Sequence, residues 1–304
     1  MTAHTRLGRW QVAVPAGCEI AERPVWDATS KSVVWVDVLD GTLHRSTPPA
    51  QGRGEWTDEA VRVGDVLGAA ALRRDGGLVA AVDSAFVLLD NLGRPDGDPV
   101  AVEMPPGARF NDGACDPAGR FMAGTTSADE QPGSGLLWSI DASRRLRIVL
   151  ADIAESNGLG WSPDGRVMYY IDSGDTAIRR YRYDADRGVL GPRLTDLCVI
   201  APGDGVPDGL VIDSGGAVWV ALWQGGALRR YAPEGELLEH VDVPVDRPTC
   251  PGFAGPALDL LILTTAWEGM RGEERARQTW AGHLLAAPVS VTGRLPHRYA
   301  GAPR

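Results

Sequence analysis

The sequence predicts an all-β protein: a six-bladed β-propeller, four antiparallel strands per blade, with the ring closed by the N-terminal strand joining the last blade. Three observations carry this. A pattern of polar or small residue, apolar stretch, tight turn and second apolar stretch recurs six times, starting at Glu22, Gly68, Asn111, Asn157, Asp208 and Cys250 in steps of 42 to 51 residues. No helical periodicity separates the copies, and hairpins repeated at that spacing mark propeller blades. A strand-like run, Trp10-Gln-Val-Ala-Val, precedes the first copy, and His283-Leu-Leu-Ala-Ala-Pro-Val follows the last, so pairing them leaves no free sheet edge.

The first copy, Glu22-Arg-Pro-Val-Trp-Asp, turns through Ala-Thr-Ser-Lys into Ser-Val-Val-Trp-Val. The second runs from Gly68 through Arg-Arg-Asp-Gly-Gly into Leu-Val-Ala-Ala-Val, and the third opens Asn111-Asp-Gly and turns at Asp-Pro-Ala-Gly. The fourth opens Asn157-Gly and turns at Pro-Asp-Gly, the fifth opens Asp208-Gly and turns at Ser-Gly-Gly, and the sixth, from Cys250, is looser. Gly, Pro, Asp and Ser supply the turn conformations such hairpins need. Segment 268–279, charged and helix-permissive, reads as a solvated loop or one helical turn. With no linker or low-complexity tract, the chain reads as one domain over residues 1–304.

Composition narrows the function classes. A formal net charge of −10 argues against nucleic acid or an anionic membrane as partner. The sequence holds no stretch with the length and apolarity of a membrane span, and its start lacks a signal-peptide core, so the expected location is the cytoplasm. A monomer is the default. Cys18, Cys115, Cys198 and Cys250 are too dispersed for a disulfide framework or zinc site and read as small buried hydrophobes. Trp26, Trp35, Trp138, Trp161 and Trp219 sit in apolar runs and read as packing between blades, while Trp223 and Trp267 follow strands and can reach a rim.

Glu22, Asn111, Asn157 and Asp208 open four copies at one phase, and equal phase in a radial repeat means equal position around the axis. If these residues lie at the channel end of the inner strands, four oxygen-bearing side chains converge. Carboxylates and carboxamides without His or Cys suit a hard divalent cation, with Ca²⁺ first and Mg²⁺ or Mn²⁺ as alternatives; Zn²⁺ stays open through carboxylates alone. Asn-Gly and Asp-Gly are also ordinary turn dipeptides. Here each hairpin turn is already supplied about six residues later, so the leading residue is not needed for it. There is no Gly-x-Ser-x-Gly elbow, Walker loop, dinucleotide-binding glycine motif or His-Glu-x-x-His, and none of the five histidines opens a repeat.

Several ordered motifs carry a family resemblance. They are Glu22-Arg-Pro-Val-Trp-Asp with Val34-Trp-Val-Asp-Val, Arg109-Phe-Asn-Asp-Gly with Asp116-Pro-Ala-Gly-Arg-Phe-Met-Ala-Gly-Thr, and Ser156-Asn-Gly-Leu-Gly-Trp-Ser-Pro-Asp. Pro207-Asp-Gly, Phe253-Ala-Gly and Leu263-Thr-Thr-Ala complete the set. From about Glu19 to Gly301 the chain resembles the family of senescence marker protein (regucalcin), gluconolactonase and luciferin-regenerating enzyme. The resemblance implies a six-bladed propeller with one divalent cation at one end of the channel, held by Glu22, Asn157 and Asp208. It places Asn111 beside the metal, Arg109 toward substrate hydroxyls, and Asp129 where sugar-binding relatives often carry Glu. Two departures fall near the implied pocket: Arg23 replaces the usual Gly, and Thr126 stands where Met is frequent. A cation at Arg23 near the mouth would favour acidic lactones, unless it points to solvent.

The implied activity is metal-assisted hydrolysis of a sugar lactone, an aldonolactone, to its aldonic acid. The cation would polarise the carbonyl, Asp208 would act as general base, and Arg109 and Asn111 would orient substrate oxygens. Two alternatives stay open: a phosphotriesterase-like hydrolase using the same cation, and a calcium-binding propeller without turnover.

Overall fold

The opening strand of each repeat is buried along most of its length. Ala21–Asp27, Leu67–Leu72, Ser156–Trp161 and Pro248–Ala254 are almost wholly inaccessible, whereas Thr57–Arg62, on the far edge of its sheet, is exposed throughout. A strand packed on both faces has no solvent side and so reads as a continuous apolar run. The opening strands therefore belong at the axis and the polar strands at the rim. The computed structural model, which describes residues 5–50, 54–127 and 133–303, has this arrangement.

Six antiparallel sheets, blades I to VI, each run outward from an opening strand. The inner strands are Ala21–Asp27, Leu67–Leu72, Ala108–Cys115, Ser156–Trp161, Val206–Ile212 and Pro248–Ala254. Blade VI is completed at its outer edge by Gln11–Val14, which pairs with Leu284–Pro288, so the ring closes through the N-terminal strand as expected. Blade IV departs from four strands: Cys198–Val199 adds a short fifth against Ala177–Asp184, which accounts for the long 51-residue step to the next copy.

Among the described residues the core divides into six clusters, one in each cleft between neighbouring blades. Trp35 and Trp219 are wholly buried there, Trp26 and Trp161 nearly so, and Trp138 packs against the cleft between blades II and III. Cys18, Cys115 and Cys250 are free and buried, as expected; Cys198 is half-buried. Hairpin turns are tied by local chemistry. The Asp213 carboxylate accepts from the backbone of Gly215 and Ala217 and from Trp219 Nε1, and Asp116 does the same for Arg120. The expected helical turn appears as the short helix Gly272–Arg277. Among the described residues no helix is long and apolar enough to cross a membrane.

Candidate active site

Every inner strand slips register against its neighbour within one short stretch: Glu22–Val25, Leu67–Ala69, Phe110–Gly113, Ser156–Leu159, Pro207–Leu210 and Pro248–Pro251. A bulge leaves a residue out of the ladder and re-aims side chains. Glu22, Asn111, Asn157 and Asp208 all lie in these stretches. Small residues let the bulged strands close around the axis: a Cβ on Gly158 would stand 2.7 Å from the Asp208 carbonyl oxygen, and one on Gly209 would stand 2.5 Å from Cys250.

Glu22, Asn157 and Asp208 line a cavity of about 110 Å³ at the entry ends of the inner strands, together with Arg109 and Asn111. Asp129 lies outside the described residues. A hydrogen-bonded chain fixes the amides. Arg109 Nη1 donates to Asn111 Oδ1 at 2.6 Å, Asn111 Nδ2 donates to Asn157 Oδ1 at 3.0 Å and to Ser156 O, Asn157 Nδ2 donates to Ser173 Oγ at 2.8 Å, and Ser173 donates to Pro207 O. Ser173, in a 3-10 turn after the second strand of blade IV, has no repeat phase that would have marked it. Glu155, Glu268 and Trp223 complete much of the wall. Trp223 thus reaches the rim. Trp267 instead donates to Gly17 O and stacks under Arg275, while its neighbour Glu268 brings segment 268–279, read above as merely solvated, into the site.

The electrostatics are dominated by burial. Removal from water, then the nearby Asp112 carboxylate, pushes the Glu22 carboxyl up to about 8, although it accepts the Arg23 backbone N–H at 2.6 Å. Asp208 is raised well above the ordinary carboxylate range, first by burial and then by Glu22. Its carboxylate makes no hydrogen bond among the described residues. Burial also lowers the Arg109 guanidinium, offset by Glu155, Glu268, Glu22 and Asp208.

Among the described residues no group of three or more His, Cys, Asp or Glu is placed to hold a metal. The donor set here differs in kind: two buried carboxylates and a carboxamide oxygen on one cavity, which fits a hard cation's preference for oxygen.

Arg23 corrects both expectations held for it. It lies neither at the mouth nor in solvent: it is buried, and its guanidinium meets Asp112 Oδ2 at 3.3 Å and Leu159 O at 3.1 Å in the channel interior. Thr126 is buried beside the Arg109 strand with its hydroxyl unpartnered and does not line this cavity. A second cavity, of about 130 Å³, lies at the exit ends of the inner strands. Val25, Trp26, Val211 and Phe253 make it mainly apolar, and the tail residues Leu295 and Pro296 border it.

Fold and cavity together define the class: a six-bladed propeller with an acidic, oxygen-lined cavity at one end of its channel. Residues 20–267 match the family described as the SMP-30/Gluconolactonase/LRE-like region, and the chain belongs to this gluconolactonase or sugar lactone lactonase family. It is 35% identical over 285 residues to a 6-deoxy-6-sulfogluconolactonase of Pseudomonas putida, covering 93% of this chain and 95% of that one. A pentonolactonase of Haloferax volcanii is 34% identical, over 92% of this chain and 94% of its own. Among solved structures, the calcium-binding protein regucalcin of Agrobacterium tumefaciens superposes with a TM-score of 0.85 at 27% identity, covering 96% of this chain and 97% of that one.

Proposed function

We propose that the protein is a divalent-cation-dependent hydrolase that opens a sugar lactone to its hydroxy acid. The observation that supports this most is the convergence of Glu22, Asn157 and Asp208 on one cavity whose wall also carries Arg109 and Asn111. Glu22, Asn157 and Asp208 would hold the cation, Ca²⁺ foremost. When bound, such a cation supplies Lewis-acid polarisation of an ester carbonyl and stabilises the developing oxyanion.

The remaining work falls to the chain. Asp208 takes a proton from the attacking water as the new C–O bond forms, and passes it to the ring oxygen as the ester C–O bond breaks. Burial and then Glu22 raise its proton affinity above that of an ordinary carboxylate, an effect that a bound cation offsets. The Arg109–Asn111–Asn157–Ser173 chain holds the Asn157 oxygen, and the rest of the Arg109 guanidinium offers donors to substrate hydroxyls. Trp223 supplies an apolar wall for the sugar ring.

The test is acid release from a panel of aldonolactones by metal-stripped protein, repeated after adding Ca²⁺, Mg²⁺, Mn²⁺ or Zn²⁺. Turnover restored by metal supports the reading and identifies the substrate. Cation binding without turnover on any lactone would sink it and return the calcium-binding alternative, while turnover confined to an organophosphate would return the phosphotriesterase-like one.

A further inference from the structure

Arg23 combines three features that ordinary packing does not require. Its φ is +50°, the left-handed region that favours glycine, although it carries a long side chain. Its guanidinium is buried in the channel, where Arg23 lines the second cavity and not the one that holds Glu22 and Asp208, and a buried charge is tolerated only when paired. Its two ends serve different carboxylates: the backbone N–H donates to Glu22 Oε2 at 2.6 Å, and Nη1 reaches Asp112 Oδ2 at 3.3 Å. Asp112 is held from its other side by the Gly113 N–H at 2.6 Å.

Charge accounting gives this arrangement a consequence. Among the described residues three buried carboxyls, Glu22, Asp112 and Asp208, surround the Arg23 guanidinium, and the cavity that holds Glu22 and Asp208 also carries Arg109, Glu155 and Glu268 on its wall. Removing Arg23 takes one positive charge from this set and leaves Asp112 without its counter-charge. A charge fixed in a low-dielectric channel acts on a nearby ion with little screening.

We propose that Arg23 is a positioning residue that sets the cation affinity of the site: it neutralises Asp112 from within the channel and so lowers the negative charge that a bound ion meets. This rests on the cation-dependent reading above. Arg23 need not touch substrate to act. Its side chain repels the ion, and its backbone N–H aims the Glu22 carboxylate.

Calorimetric titration of metal-free protein with Ca²⁺ and Mn²⁺ tests this without reference to turnover. Arg23→Gly keeps the backbone N–H and relieves the left-handed φ, and it is expected to tighten the dissociation constant about tenfold or more. Asp112→Asn is expected to weaken it by a similar factor, and the double variant to return near wild type because the two changes cancel in charge. A purely structural plug would not give opposite shifts that cancel. Unchanged or weakened affinity in Arg23→Gly overturns the inference; should that variant fail to fold, unchanged affinity in Asp112→Asn overturns it instead. Wild-type binding without lactone turnover would count against the lactonase reading alone. If neither wild type nor Arg23→Gly binds a cation, both fall.

Discussion

Asp208 carries opposing demands. Its carboxylate is buried beside Glu22, which destabilises the charged form, yet a cation site needs that charge. Asp208→Asn is therefore expected to lower lactone turnover by about 10²-fold or more while raising the melting temperature of metal-free protein by about a few degrees. Parallel thermal melts and rate assays check both. The pH dependence follows the same carboxyls. In the folded protein burial and then the Asp112 carboxylate push the Glu22 carboxyl up to about 8, against an ordinary value of 4.5. The folded state thus binds more protons than the unfolded one between those values, and stability falls as pH rises through that window. Metal-free protein should melt lower at pH 8.5 than at pH 5.5, and Glu22→Gln should flatten that slope. A metal-free protein that grows more stable over the same range would contradict the assignment.

The bulged inner strand is the unit that turns sequence repetition into a site. Its extra residue aims Glu22, Asn111, Asn157 and Asp208 at one cavity, and glycines let neighbouring bulges touch. Gly158→Ala would force a methyl to within 2.7 Å of the Asp208 carbonyl oxygen and of Leu210 N, both backbone atoms that cannot swing aside. We expect a loss of about 1–3 kcal/mol in denaturant unfolding, with turnover reduced as the blade V strand shifts. Ser173→Ala removes the acceptor that orients Asn157 Nδ2. It should cost about 1 kcal/mol in stability but weaken cation binding about 10-fold to 100-fold, since a group that fixes a ligand acts mainly on the ligand's geometry. Equal metal affinity in Ser173→Ala and wild type would remove the relay from the account.

The ring is held shut at two places. Gln11–Val14 completes blade VI and buries Ala13 and Val14, so it covers an edge that would otherwise expose Leu284–Pro288. Beneath the blades the C-terminal tail acts as a strap. Tyr299 is wholly buried and donates from its hydroxyl to Asp141 O in blade III, while Arg298 reaches Asp27 in blade I. Deleting residues 1–14 should lower the melting temperature by about 10 °C or more and promote aggregation through the bared strand, readable by calorimetry and light scattering. A truncated chain that melts like the full one would mean that the ring closes by other contacts.

The six-blade ring, its closing strand and the shared phase of four oxygen-bearing residues were legible in the amino-acid order. A radial repeat maps equal phase onto equal position, and local Asp, Gly and Pro chemistry marks each hairpin. Glu22, Asn111, Asn157 and Asp208 could therefore be grouped without coordinates, and the motifs around them added Arg109. Ser173 and Glu268 could not be grouped so, because they reach the cavity from turns and segments that belong to no repeat, whereas Glu155 stands two residues before Asn157, the phase at which Ile20, Arg109 and Val206 also meet the cavity, and that phase went unread. Nor was the direction of Arg23 readable. A side chain leaving a bulge at φ +50° goes where the neighbouring blades leave room and a partner, and here Asp112 of blade III and the Leu159 carbonyl of blade IV drew it into the channel. Contacts between blades bring together residues distant in sequence, and only the closed ring establishes which of them meet.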